Sequence, residues 1–266
     1  MAGAGFGRWG ERLLVTAGAA WLAAGGLPEL LGHYLHAGVT ARGPVAGRAR
    51  AALTFDDGPD PASTPRFLEA LARLEVPATF FMVGRRAVRE PALVREAVAA
   101  GHELGNHTWS HRHAWSLGPA ATLREIRDAA ALLEDVSGRP VRYLRPPWGA
   151  FNWAVWLGAA ETGARLVLWS AVGDDWKASA TPASIVRRVE QGLRPGVIVL
   201  LHDAGGAEGA PERTLAALPE LVDRIRAAGM ELVPLARLLG PEAPGAAEGA
   251  PPGAPAPGGA SGGSRG

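Results

Sequence analysis

From Ala51 to Leu239, short apolar runs alternate with longer runs that have the apolar spacing of amphipathic helices. This alternation is typical of repeated βα units, which build a mainly parallel sheet covered by helices. A chain of 266 residues has the length of one large α/β domain and leaves little room for a second. The pattern therefore predicts a single α/β domain over residues 51–239.

Seven apolar runs are predicted to be strands, an unusual number for a regular barrel. They are Ala51–Asp56, Ala78–Val83, Glu103–Asn106, Val141–Arg145, Arg165–Ser170, Val197–Leu201 and Glu231–Pro234. The predicted helices are Pro65–Glu75, Arg85–Ala100, Pro119–Val136, Asn152–Thr162, Pro182–Gly192 and Arg213–Ala228. Two of these helices start with threonine followed by proline, a combination of N-cap and first-turn residue that favours a helix start.

The N-terminal sequence has the character of an export segment. After Arg8 and Arg12 it runs from Leu13 to Leu27 without a charge, which is shorter than the ~20 residues of a usual membrane span but matches the apolar part of a secretory signal. Residues 1–30 are therefore predicted to be a signal or a membrane anchor, with a buried helix as the alternative. A signal or an anchor would make the domain extracytoplasmic, either secreted or held at the membrane.

Two further segments can be assigned from composition, and the composition of the whole chain limits its binding partners and metal ligands. Residues 31–50 are predicted to be a linker, and residues 240–266, mainly Pro, Gly, Ala and Ser, are predicted to be disordered. The 27 Lys and Arg nearly balance the 26 Asp and Glu, so the charge gives no reason to predict nucleic-acid binding. No feature predicts a protein partner. Because the chain has no cysteine, any metal must be held by histidines and carboxylates.

The first predicted strand ends in two adjacent carboxylates, Asp56 and Asp57, followed by Gly58 and Pro59. Barrel active sites are built at the C-terminal ends of strands. The glycine and proline make a tight turn, which would let both carboxylates face one pocket. The alternative is an acidic turn that caps a helix.

Two histidines, His107 and His111, follow the third predicted strand. Their spacing of four residues would place them on one face of a helical turn. Two imidazoles, a carboxylate and water form the kind of open zinc site that polarises a carbonyl and activates water. Either Asp56 or Asp57 could be the third ligand, which would leave the other as a base. Solvated surface histidines are the alternative.

Three later strands also end in polar or aromatic motifs. These motifs are Arg145-Pro146-Pro147-Trp148-Gly149, Asp174-Asp175-Trp176 and Leu200-Leu201-His202-Asp203. Capping or solvation explains single sites, whereas clusters at five strand ends predict one shared catalytic rim.

With these five motifs in this order, the chain resembles the NodB-type polysaccharide deacetylases, carbohydrate esterase family four, over about residues 51–239. The resemblance implies a distorted, incomplete (β/α)7 barrel with about seven mainly parallel strands. It also implies hydrolysis of N-acetyl groups on an amino-sugar polymer, such as peptidoglycan, a chitin-like oligomer or an exopolysaccharide. The implied cofactor is a divalent metal, usually zinc and sometimes cobalt or nickel.

The resemblance also implies which residues hold the metal and activate water. Asp57, His107 and His111 correspond to the metal ligands, and Asp56 corresponds to the general base. Arg145 would pair with Asp56 and set the direction of its carboxylate.

The remaining motif positions correspond to the acid and to the substrate contacts. His202 would be the general acid, and Asp175 would orient it and raise its pKa. The metal and the Trp148 backbone N–H would stabilise the oxyanion, while Trp176 and Leu200 would line a pocket for the acetyl methyl group. One position departs from the family pattern, since many relatives have an acid where Val172 stands.

Other functions remain open at this point. The same fold and catalytic groups could act on O-acetyl esters, formamides or cyclic imides. A sugar-binding module without catalysis would need neither a base such as Asp56 nor an acid such as His202. A membrane-anchored scaffold would leave the five motifs without a reason. His102, Asp60 and Asp203 are expected to be structural, the two carboxylates by accepting hydrogen bonds from turn amides.

Overall fold

The computed structural model describes Thr16 and residues 22–240, and its centre is a parallel sheet. The strands are β1 Arg50–Asp56, β2 Ala78–Met82, β3 Glu103–Asn106, β4 Tyr143–Leu144, β5 Arg165–Leu166, β6 Ala171–Val172, β7 Val197–His202 and β8 Glu231–Leu232. Their order is β5-β4-β3-β2-β1-β7-β6, and β8 pairs with the start of β1. Every pair of these strands is parallel.

Helices follow most strands and cover the outside of the sheet. They are α1 Thr64–Leu74, α2 Gly84–Ala87, α3 Pro91–Ala99, α4 Pro119–Ser137, α5 Trp153–Thr162, α6 Pro182–Gly192, α7 Ala210–Ala227 and α8 Leu235–Leu239. Two 3₁₀ turns, Ala114–Ser116 and Pro147–Gly149, lie near the C-terminal ends of the strands. Three consecutive helical stretches, Leu22–Gly26, Leu27–Glu29 and Leu30–Tyr34, precede the sheet and are called the N-terminal segment below.

The sheet curls into an incomplete barrel because β5 and β6 lie at opposite ends of the strand order although only residues 167–170 separate them. Val167 N donates to Leu144 O at 3.0 Å on one side, and Ser170 N donates to Ile198 O at 3.0 Å on the other. The predicted α/β fold, a distorted and incomplete (β/α)7 barrel, is confirmed.

Several predicted element bounds are wrong. The predicted strand Arg165–Ser170 shortens to β5, Arg165–Leu166, and β6, Ala171–Val172, follows it without having been predicted, because the chain crosses between the two from one edge of the sheet to the other. The predicted helix Arg85–Ala100 is two helices, since Pro91 lacks a backbone N–H and starts a new helix instead of continuing the first. The predicted strands Val141–Arg145 and Glu231–Pro234 shorten to β4 and β8, and α8 follows β8 without having been predicted.

Alternation along β1 separates the hydrophobic core from the barrel interior. Successive side chains on a strand point to opposite faces, so Leu53 and Phe55 join the large core under the outer helices, whereas Ala52 joins a smaller inner cluster. Thr54 and Asp56 have the parity of Ala52 and point inward. The side chain of Asp56 therefore points into the barrel at the C-terminal end of a strand that is buried from Ala51 onward.

The region predicted to be a linker contacts the barrel. Thr40 N donates to Leu166 O, and Leu168 N donates to Thr40 O, both at 2.9 Å, so this residue lies beside the crossing between β5 and β6. Gly43 N donates to Gly196 O at 2.7 Å. Residues 40–43 therefore extend the hydrogen bonding of the barrel at this side.

The predictions for the two chain ends fall mostly outside the described residues. Residues 1–15, 17–21 and 241–266 lie beyond them, so the proposed signal or anchor and the disordered tail stay predictions. Among the helices of the part that is described, none has both the length and the apolar character needed to cross a bilayer.

Candidate active site

The five sequence motifs meet at the C-terminal edge of the sheet. Asp56 ends β1, His107 follows β3, Arg145 follows β4, Asp175 follows β6, and His202 ends β7. Parallel strands present their C-terminal ends at the same edge, which is where (β/α) barrels carry their active sites. The predicted shared rim is therefore present as an arrangement of residues.

Asp57, His107 and His111 form a cluster that could hold a metal ion. One potential ligand atom from each lies within 4.8 Å of the other two. Asp57 Oδ1 is 2.9 Å from His111 Nε2 and 3.5 Å from His107 Nε2. Neither approach has hydrogen-bond alignment, and this buried oxygen has no hydrogen-bond partner. Two imidazole nitrogens that converge on one carboxylate oxygen form a donor set that can hold a cation.

Neighbouring groups set the tautomer of His107 and the pKa of Asp57 in a way that favours metal binding. His107 is 2% exposed, and its Nδ1 lies 2.7 Å from Arg145 O. Because a carbonyl only accepts, Nδ1 carries the proton and leaves the Nε2 lone pair for a metal. Burial alone would raise the pKa of Asp57, but the imidazoles of His107 and His111 outweigh it and hold that pKa far below its usual value. The donor set of two imidazoles and a carboxylate thus fits a zinc-type site.

Asp56 lies beside this cluster as a second, separate carboxylate. It is 3% exposed, its Oδ2 is 3.6 Å from His107 Nε2, and its Oδ1 accepts a 2.6 Å hydrogen bond from Arg145 Nη1. The pair is charge-assisted and fixes the direction of the carboxylate. Of the two carboxylates left open by the sequence, Asp57 is the one grouped with both histidines.

Arg145 is fully buried, and its guanidinium donates hydrogen bonds to several acceptors. Nη1 also donates to Thr54 Oγ1 at 2.9 Å, while Nε and Nη2 donate to the carbonyls of Val167 and Leu168 at 3.2 and 3.0 Å. Its guanidinium carbon lies 4.0 Å from the centre of the Phe81 ring. The crossing from β5 to β6 therefore supplies two of the acceptors that hold this cation.

His202 and Asp175 form a second charged pair across the rim. His202 Nδ1 donates to Asp175 Oδ1 at 2.9 Å, and its backbone N–H donates to Oδ2 at 2.8 Å. Thr214 Oγ1 donates to the same Oδ2 at 2.9 Å. Burial lowers the pKa of His202, but the hydrogen bond and the charge of Asp175 outweigh it and raise this pKa to about 9. The Asp175 carboxylate therefore favours the protonated form of the imidazole.

Comparison with known proteins identifies the family. Residues 45–167 match the polysaccharide deacetylase family. A peptidoglycan-N-acetylglucosamine deacetylase from Bacillus cereus is 40% identical over 190 residues, which cover 71% of this chain and 87% of that protein. This chain belongs to the polysaccharide deacetylase family.

Two further relatives agree with this assignment. A chitooligosaccharide deacetylase from Bradyrhizobium is 36% identical over 205 residues, covering 74% of this chain and 93% of that protein. The crystal structure of the Bc1960 peptidoglycan N-acetylglucosamine deacetylase superposes with a TM-score of 0.71 at 27% identity, covering 79% of this chain and 95% of that one. The predicted family resemblance is confirmed.

In this polysaccharide deacetylase, Trp148 lies at the mouth of the site. It is 58% exposed, and its ring centre is 4.6 Å from that of His111 and 5.5 Å from that of His113. Its φ of +56° lies in the left-handed region, which is uncommon for a large side chain. The side chain therefore borders one of the candidate metal ligands.

Of the two residues predicted to line the acetyl pocket, Trp176 follows Asp175 and Leu200 precedes His202 on β7. The half-buried Trp176 ring packs edge-on against the His202 imidazole, with 5.2 Å between ring centres. Leu200 is buried in β7, where it pairs with Thr54 and with Val172. Val172, the departure from the family pattern, is thus a neighbour of the predicted pocket.

Several supporting residues were not predicted from the sequence. Thr54 and Thr214 bind Arg145 and Asp175, and Glu125 accepts hydrogen bonds from Ser110 N and Oγ, both at 2.6 Å, between the two histidines. Because Thr54 lies two residues before Asp56 on β1, strand alternation could have predicted that both side chains point into the site. Thr214 and Glu125 lie on helices and had no local signal.

The residues expected to be structural have structural contacts. Asp203 Oδ1 accepts from Gly58 N at 3.2 Å, and Asp60 Oδ1 accepts from Ala62 N at 2.9 Å. His102 Nδ1 accepts from Ala78 N at 3.1 Å, and burial lowers the pKa of this histidine to about 4.

Proposed function

We propose that this family member hydrolyses the N-acetyl groups of an amino-sugar polymer outside the cytoplasm. The observation that carries the proposal is the presence, within one rim, of a candidate metal cluster, a separate buried carboxylate and an imidazole that is hydrogen-bonded to a second buried carboxylate. Hydrolysis of an amide requires a polarised carbonyl, a base for water and an acid for the departing amine. The relatives named for peptidoglycan and chitooligosaccharide support this substrate class.

Asp57, His107 and His111 would hold the divalent cation, for which zinc is the best match to the donor set, with cobalt or nickel as alternatives. When bound, this cation would supply Lewis-acid polarisation of the acetyl carbonyl and lower the pKa of nearby water.

Asp56 would act as the general base. Its Oδ1 is bound to Arg145, so Oδ2, on the side of His107, is the oxygen available to accept a proton from the attacking water. The new C–O bond then gives a tetrahedral oxyanion. The Trp148 backbone N–H would stabilise this oxyanion by a hydrogen bond.

His202 would complete the reaction as the general acid. Its Nδ1 is occupied by Asp175, which leaves Nε2–H to donate a proton to the amide nitrogen as the C–N bond breaks. The products are acetate and a free amine, and no covalent enzyme intermediate is needed. Trp176 and Leu200 would enclose the acetyl methyl group, because the Trp176 ring packs against His202 and Leu200 lies two residues before His202 on the same strand.

The proposal is tested by measuring acetate release from N-acetylglucosamine oligomers and from peptidoglycan. We expect release from at least one of them by zinc-loaded protein, and formation of an equal amount of free amine. An O-acetylated xylan and an N-formylated sugar serve as controls for the ester and formamide activities. Hydrolysis of these alone would overturn the N-deacetylase assignment, and binding of the oligomers without hydrolysis would identify a sugar-binding module.

The role of Asp175 predicts a change in the pH profile. A general acid works only while protonated, so kcat should fall as pH rises through the pKa of His202, which Asp175 raises to about 9. In Asp175→Asn the negative charge beside His202 is lost, while burial still lowers the pKa of the imidazole. The alkaline limb of the kcat profile should therefore move down by about 1–3 pH units. The charge of a bound cation is common to both proteins and does not remove the difference.

The measurement is kcat for acetate release between pH 6 and 10. Asp174→Asn is the matched control, because the neighbouring Asp174 carboxylate binds Lys177 and Arg188 and not the imidazole. An alkaline limb that stays in place in Asp175→Asn would contradict the assignment of His202 as the acid.

A further inference from the structure

The turn that carries Trp148 needs support from elsewhere in the chain. Trp148 and Gly149 both have left-handed backbone, with φ of +56° and +64°. A bulky residue keeps such a conformation only where the surrounding structure holds it. Because the Trp148 side chain is 58% exposed, its own packing provides little of this restraint.

The N-terminal segment supplies contacts on the C-terminal side of this turn. His33 Nδ1 lies 2.9 Å from Gly149 O, and Phe151 N donates to Glu29 Oε2 at 2.8 Å. The two residues are four apart in the segment, and His33 Nδ1 is also 3.7 Å from Glu29 Oε1. Together they engage backbone groups of residues 149 and 151.

Glycines allow the two backbones to come this close. A Cβ atom added at Gly149 would lie 2.9 Å from His33 Nδ1, and one added at Gly32 would lie 2.5 Å from Phe151 Cγ. Both approaches are too short for a side chain, so the close fit depends on glycine at each position. Phe151 itself is fully buried, which ties this contact to the domain core.

We propose that Glu29 and His33 are positioning residues that hold the Trp148 turn in its place at the site. The inference rests on the proposed function, in which the Trp148 N–H donates to the oxyanion. A donor of this kind contributes only when it is aligned with the developing charge, and small displacements are costly. Residues outside the five motifs, in the N-terminal segment, would therefore affect catalysis without touching the substrate.

The test compares apolar with polar replacements in the full chain. Glu29→Leu and His33→Leu lose their hydrogen bonds, and we expect kcat to fall about tenfold with little change in KM. Glu29→Gln keeps an acceptor for Phe151 N, and His33→Asn keeps a donor for Gly149 O, so both should retain kcat within about twofold. Bound zinc should be unchanged in all four variants.

Trp156→Phe is the matched control. It removes the 2.9 Å hydrogen bond from Trp156 Nε1 to Ala37 O, a contact that does not involve Glu29 or His33, and it keeps an aromatic ring beside Phe151. We expect it to lower Tm as much as the leucine variants while kcat is retained.

The outcomes separate the two proposals. If wild-type protein releases acetate but the leucine variants keep its kcat, or if Trp156→Phe lowers kcat equally, the positioning role is wrong and the proposed function stands. If wild-type protein releases no acetate from any acetylated glycan, the proposed function is wrong and the positioning role is overturned with it.

Discussion

Replacement of Asp56 by asparagine is expected to lower kcat for acetate release by about 10²- to 10⁴-fold, the range typical for loss of a general base. Asparagine has nearly the same shape but cannot accept the proton of the attacking water. The change also leaves the guanidinium of Arg145 buried without its counter-charge, and such unpaired burial costs about 3–5 kcal/mol of stability. The measurement is kcat together with Tm and bound metal.

The control for Asp56→Asn is Asp60→Asn in the same loop. Asp60 accepts hydrogen bonds from the turn amides of residues 62 and 63, and an asparagine oxygen can accept them equally well. We expect this variant to keep its activity. If Asp56→Asn is folded and metal-loaded and still releases acetate at the wild-type rate, Asp56 is not the base.

Replacement of Asp57 by asparagine should remove the metal and, with it, the activity. We expect zinc affinity to fall by more than about 100-fold, since loss of even an outer-shell partner usually costs 10- to 100-fold. Asparagine is suitable here because Asp57 has a φ of +79°, and asparagine tolerates left-handed backbone better than most residues. The fold should therefore be little affected. Metal content after dialysis and acetate release are the two measurements.

His113→Ala is the control for the metal experiment. His113 lies two residues after His111 and contacts the Trp148 ring, but it is not part of the three-residue cluster. It should retain zinc. Chelation of wild-type protein should abolish acetate release, and added zinc, cobalt or nickel should restore it. Full metal content in Asp57→Asn, or activity that survives chelation, would contradict the proposed cofactor site.

Much of the barrel could be predicted because its signal is local. The strands β1, β2 and β7 are mainly apolar runs several residues long, and each is buried between helices and the barrel interior. The Arg165–Ser170 run was also apolar, yet only its first two residues form a strand, and the chain then crosses to the other edge of the sheet. Apolar character reports burial, whereas the edge to which a strand pairs depends on where its partners lie.

The candidate site also has a part that the sequence predicts and a part that it does not. The five motifs could be recognised because adjacent residues at strand ends carry the reactive groups and because the strand ends of a parallel sheet converge. Thr214 is separated from Asp175 by 39 residues, and Arg145 is separated from Thr54 by 91. Contacts over such distances leave no periodic pattern in the sequence. The roles assigned to the motif residues stay predictions until the variants are measured.

By itself the sequence determined the α/β class, the longer strands of the barrel and the five motifs at the strand ends, since these follow from local hydrophobic pattern and chemistry. Only the tertiary structure decided which carboxylate groups with the two histidines, how Arg145 is held by the chain that crosses from β5 to β6, and that Glu29 and His33 contact the Trp148 turn. These features depend on distances between segments remote in sequence, and such distances are established only when the whole chain has packed.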